Sequence, residues 1–82
     1  MVVLVAPGSG ATAFVVGRRL GGAVPRNRAR RVLKAAWREV APRVREGYDI
    51  AFVARGAIRG SKTQDLVAEM EELLTRAGVM EE

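Results

Sequence analysis

Apolar residues along this chain first run consecutively, then recur at helical spacing, then run consecutively again, and finally return to helical spacing. Val2 to Ala6 is a β-branched run and Ala11 to Val16 is another. Pro7-Gly8-Ser9-Gly10 between them is turn chemistry, so the pair is predicted as a hairpin. Gly21-Gly22 frees the backbone to turn, and Pro25 suits the first turn of a helix, where its missing N–H costs nothing. Ala29, Val32, Leu33, Ala36, Trp37 and Val40 then fall on one stripe of a helix that Pro42 should end near Val40-Ala41. Tyr48 to Ala54 reads as a largely buried strand closed by Arg55-Gly56. Ser61 followed by Gln64 resembles a capping box. Beyond it Leu66, Val67, Met70, Leu73, Leu74 and Ala77 form a second stripe, with Gly78 as its stop. The predicted order is β-β-α-β-α, an α+β chain in which one sheet packs against helices. No repeat or linker divides it, so residues 1–82 are read as a single domain.

At 82 residues the domain is small. Such a chain buries only about 60–65% of the surface exposed when unfolded, which leaves stability marginal. It has no cysteine and no histidine, so disulfides, thiol nucleophiles, imidazole acid–base chemistry and thiolate or imidazole metal sites are all absent. A cysteine-free chain fits a reducing cytoplasm, the expected location. The opening apolar run is broken by Pro7 to Gly10 and has no basic region before it, unlike a signal peptide. No stretch is long enough to predict a membrane span.

Charge changes the picture most. The net charge is +5, but residues 18–38 hold eight Lys/Arg and no acid, while residues 61–82 hold six acids and two cations. So many guanidinium groups need water or an anion around them, and a polyanion is the simplest partner. A rotation of 100° per residue gathers Arg26, Asn27, Arg30, Arg31, Lys34 and Arg38 on one arc beside the apolar stripe, with Arg28 across that stripe. Arg18 and Arg19 sit at a strand end and should point to opposite faces. An ordinary solvated helix face would interleave signs, and this one does not. Trp37 belongs to the apolar stripe and is expected in the core rather than as a base-stacking platform. Tyr48 and Phe52 share one strand face, for packing. Asp65, Glu69 and Glu72 are read as solubilising charge, and no metal site or catalytic residue is expected on the protein.

The string VVGRRLGGAVPRNRARRVLKAAWRE resembles the signature of the bacterial ribonuclease P protein component. Arg18-Arg19 match that family's basic pair, Gly21 its glycine, and Arg26-Asn27-Arg28 the motif opening its basic helix, which Arg30-Arg31 continue. The downstream YDIAFVARGA and the closing amphipathic helix are similar to the family's last strand and helix, so the resemblance runs from Val2 to Met80. Gly17 departs from the usual serine, Gly22 from the usual asparagine or lysine, and Pro25 from an apolar residue. The family's first helix and first strand have no counterpart in this sequence.

The resemblance implies a two-layer sandwich like the ribosomal protein S5 domain 2-like fold, minus its first strand. It implies a protein subunit of ribonuclease P, which assists a catalytic RNA in removing 5′ leaders from precursor tRNA. The RNA-contacting residues would be Arg18, Arg19, Arg26, Asn27, Arg28, Arg30, Arg31, Lys34 and Arg38. The partners would be ribonuclease P RNA and precursor tRNA. No cofactor is expected on the protein, and Mg²⁺ is expected at the active site of the RNA. Because the family builds its leader cleft from the first helix and the sheet, leader contact is not expected to carry over. Two other classes stay open: a stand-alone RNA-binding module, ribosomal or chaperone-like, and, more weakly, a major-groove DNA binder. An uncovered Val2–Ala6 edge would also permit weak self-association.

Overall fold

A computed structural model describes residues 1–55, 58 and 60–81. It contains strands β1 (Val2–Pro7), β2 (Thr12–Val16) and β3 (Tyr48–Ala54), and helices α1 (Ala23–Val40) and α2 (Thr63–Arg76). Short 3₁₀ turns occupy Arg18–Leu20 and Ala41–Arg43. The architecture is α+β in two layers, with the element order that the apolar pattern predicts.

The hairpin is not there. β3 lies in the centre of the sheet, in the order β1-β3-β2. It pairs antiparallel with β1, from Val2↔Val53 to Pro7↔Tyr48, and parallel with β2, from Thr12↔Ile50 to Val16↔Ala54. The Pro7–Ala11 segment therefore crosses the end of β3 instead of turning back on β1. Asp49 holds that crossing: its Oδ1 accepts from the N–H groups of Gly10 (3.1 Å) and Ala11 (2.9 Å). Gly8 donates to the Gly47 carbonyl at 2.9 Å. A Cβ at Gly8 would lie 2.0 Å from Asp49 Oδ2, so the crossing is tight enough to need glycine there.

α1 begins after Gly22, with Pro25 third in its first turn, where the helix has no intrahelical acceptor for an N–H. It ends before Pro42, as expected. α2 starts one residue later than the Ser61/Gln64 box predicts. Lys62 is the N-cap and donates its N–H to Asp65 Oδ2 at 3.0 Å. A carboxylate at a helix N-terminus is favoured by the helix dipole, which an amide is not. Gly78, at φ 77°, closes α2, and Val79 N–H returns to the Leu74 carbonyl.

Both helices cover one face of the sheet. The core is Val16, Leu20, Ala29, Leu33, Ala36, Val40, Ile50, Phe52, Ala54, Ile58, Leu66, Met70, Leu74 and Val79. Phe52 is wholly buried, between Phe14 (ring centroids 5.7 Å apart, stacked) and Trp37 (5.3 Å, tilted). Trp37 is thus a packing residue, as predicted. Among the described residues no helix lies over the opposite face, and Leu4 and Val15 stand 58% and 48% exposed there.

Candidate nucleic-acid interface

The α1 stripe fixes the direction of everything else on that helix. With Ala29, Leu33, Ala36 and Val40 buried, the residues that alternate with them must face water. Asn27, Arg28, Arg31, Lys34 and Arg38 are exposed, and Arg26 and Arg30 are half-buried. A second group joins from the turn before the helix. Val16 ends β2, and Arg18 and Arg19 lie in the 3₁₀ turn rather than on a strand, both exposed, so strand parity does not separate them. Leu20, inside this basic segment, is buried and anchors the turn to the core. Gly21, at φ 122°, lets the chain enter the helix, and a Cβ there would come within 2.9 Å of Pro25 Cγ.

Local hydrogen bonds order part of the cluster. Arg26 Nε donates to the Gly22 carbonyl at 3.3 Å, and Arg30 Nη1 to Asn27 Oδ1 at 3.4 Å. Arg28, across the stripe, donates from Nη2 to the Ser61 carbonyl at 3.3 Å, bracing α1 against the segment before α2. Asn27, whose Oδ1 accepts the Arg30 bond, is itself exposed.

None of the eight cations of residues 18–38 forms an ion pair among the described residues. The ion pairs that do form join the Met1 amine to Glu69, Arg43 to Glu71, and Arg76 to Glu72. The acids of these three pairs all belong to α2. α1 also has no acid in its first turn and no side-chain cap, so its N-terminal partial charge, about +0.5, adds to the arginines. The result is a cationic surface that runs about 18 Å along α1 from Arg26 to Arg38, extended by the preceding turn.

The sequence pattern does not single out Arg55. It stands exposed at the end of β3 and lines, with Arg19, a shallow hollow floored by Val15, Leu20, Val53 and Ala54. Only the pairing of β2 with β3 brings these two strand ends together. Among the described residues no three acids gather into a group that could hold a metal ion, and no helix is long and apolar enough to cross a membrane.

A family model described as Ribonuclease P matches residues 1–78. The chain belongs to the ribonuclease P protein family. A relative from Symbiobacterium thermophilum, named ribonuclease P protein component, is 47% identical over 68 residues, which are 83% of this chain and 59% of the relative. One from Roseiflexus castenholzii, with the same name, is 44% identical over 69 residues, 83% of this chain and 57% of the relative. The chain thus spans under three fifths of these relatives' length. The fold is shared with solved ribonuclease P proteins. A Staphylococcus aureus RNase P protein mutant with defective mRNA degradation activity superposes with TM-score 0.78 at 23% identity, over 95% of this chain and 69% of that one. The RNase P protein from Thermotoga maritima gives 0.74 at 22%, over 90% of this chain and 74% of that one.

Proposed function

We propose that this chain is a protein subunit of ribonuclease P and assists its RNA subunit in removing the 5′ leader from precursor tRNA. The observation that carries the reading is the unpaired cationic arc on a member of this family. Arg26, Arg28 and Arg30 crowd the positive end of a helix whose first turn holds no acid, and they form no ion pair among the described residues. Such an arrangement opposes the helix dipole when free and is relieved when phosphates lie along it. Arg18, Arg19, Arg31, Lys34 and Arg38 extend the same surface and lower the repulsion between RNA phosphates brought together there. Asn27 adds a directional donor, held in place by Arg30. Hydrolysis and its Mg²⁺ are assigned to the RNA subunit, and the protein's part is binding and electrostatic support. The reading rests on the basic arc and not on a leader cleft, and it places the protein in the bacterial cytoplasm with its RNA.

The test is cleavage of precursor tRNA by ribonuclease P RNA with and without the protein over a series of Mg²⁺ concentrations. The protein should raise cleavage most where Mg²⁺ is scarce, because its cations then replace the missing counterions. Unchanged cleavage at every Mg²⁺ concentration overturns the proposal. Recovery of ribosomal RNA rather than ribonuclease P RNA with the protein from cells would favour a stand-alone RNA-binding module instead.

A further inference from the structure

We infer that Arg28 is a positioning residue: it acts on RNA binding through Arg55, whose place beside Arg19 it holds, and not by touching phosphate itself. The role rests on the proposed function, because it concerns the same cationic surface. Two observations set Arg28 apart from the other cations of α1. It lies across the apolar stripe from the arc of Arg26, Arg30, Arg31, Lys34 and Arg38, on the flank toward the segment that enters α2. The side-chain bonds of Arg26 and Arg30 stay within α1 and its N-cap, whereas that of Arg28 reaches 33 positions along the chain.

The carbonyl that Arg28 holds belongs to a run of hydrogen bonds leading back to β3. Ser61 N–H donates to the Ile58 carbonyl at 3.0 Å, and Ile58 N–H donates to the Arg55 carbonyl at 3.0 Å. Arg28 closes the run at its far end, 3.3 Å from the Ser61 carbonyl. Ala54 is the last residue that the ladder with β2 holds, paired with Val16. The chain direction at Arg55 is therefore set by this turn and no longer by the sheet. Ile58 is buried and anchors the turn on its inner side. Between the turn and the start of α1, Leu20, Pro25, Ala29 and Gly60 line a hollow, so apolar packing leaves that gap open. The guanidinium of Arg28 bridges it.

The brace has something to oppose. Arg19 and Arg55 are both exposed, line one hollow and form no ion pair among the described residues. Like charges placed side by side repel, and a turn left loose lets Arg55 swing away from Arg19. Leu20 borders both hollows, so a shift of the turn at Ile58 is transmitted to the Arg19 side as well.

The test is a double-mutant cycle read on the salt dependence of ribonuclease P RNA binding. Arg55→Ala should flatten the slope of log K against log[salt] by about 0.7–0.9, the loss of one phosphate contact. Arg28→Ala should flatten it by up to the same amount, and adding Arg28→Ala to Arg55→Ala should change it no further. Arg55→Ala combined with Arg31→Ala, two direct contacts, should give the sum of about 1.4–1.8. Additive flattening in the Arg28/Arg55 pair would show a phosphate contact at Arg28 and overturn the proposal. An unchanged slope in Arg28→Ala would also overturn it, by leaving Arg28 a purely structural residue. Hydrogen exchange in the free protein reads the brace without RNA. The Ile58 and Ser61 amides should exchange about 3- to 10-fold faster in Arg28→Ala and at the wild-type rate in Arg31→Ala. Unchanged protection at those amides overturns the proposal whatever the RNA does. Faster exchange in a protein whose wild type binds no ribonuclease P RNA would overturn the proposed function, and this role with it, while leaving the brace intact.

Discussion

The sharpest quantitative expectation concerns Arg31→Ala. Arg31 is exposed on α1 and makes no ion pair among the described residues, so its removal should leave folding stability within about 0.5 kcal/mol. If it neutralises one phosphate, the slope of log K against log[salt] should flatten by about 0.7–0.9. Over a fourfold rise in salt the wild type then loses roughly 3-fold more affinity than the variant does. Removing Arg31, Lys34 and Arg38 together should flatten the slope by about 2.1–2.7, a difference of about 20- to 40-fold over the same range. The control is Arg76→Ala on α2, whose guanidinium is 2.7 Å from Glu72. That change should leave the slope untouched. The assay is filter binding or anisotropy with labelled ribonuclease P RNA across a salt series, with thermal unfolding of each variant alongside. Equal slopes for Arg31→Ala and Arg76→Ala would refute the reasoning, since affinity would then depend on net charge and not on the arc.

Three stability predictions follow from the packing. Phe52→Ala should cost about 3–5 kcal/mol, a large part of what a domain this size possesses, and urea titration should find it mostly unfolded near the wild-type midpoint. Asp49→Ala frees two N–H groups of the Pro7–Ala11 crossing and should cost about 1–3 kcal/mol by the same measurement. Gly8→Ala should also destabilise, because its Cβ meets the Asp49 carboxylate. It should cost at least about 1 kcal/mol less in an Asp49→Ala background, and additivity in that double-mutant cycle would sink the steric account.

Elements whose signal is local were legible in the sequence. The α1 stripe from Ala29 to Val40, its stop at Pro42 and the span of β3 all match the structure, because helical period, proline geometry and a buried apolar run are properties of a few adjacent residues. Pairing was not legible. PGSG is good turn chemistry, but the same residues serve a crossing once Asp49 supplies acceptors for their N–H groups, and Asp49 is distant in sequence. Leu20 and Val79 reach the core from outside the periodic segments, so no stripe contains them. The basic arc was legible because periodicity alone orients a helix. Two refinements needed coordinates: Arg28 braces the segment at Ser61, and Arg55 comes beside Arg19 only through the β2–β3 ladder. The box at Ser61/Gln64 lost to Lys62/Asp65 because the charged acceptor is the stronger one at a helix start.

The central position of β3 has a kinetic consequence. Each ladder joins distant parts of the chain, Val2 to Val53 and Thr12 to Ile50, and the two strands closest in sequence, β1 and β2, do not pair. Closing such loops costs entropy before any contact repays it, which slows folding relative to a sheet of hairpins. During synthesis, neither β1 nor β2 has a partner until Tyr48 to Ala54 has left the ribosome. α1 exists by then only as an isolated helix of marginal stability. The cationic arc thus acquires its fixed orientation late, when the last strand slots between the first two.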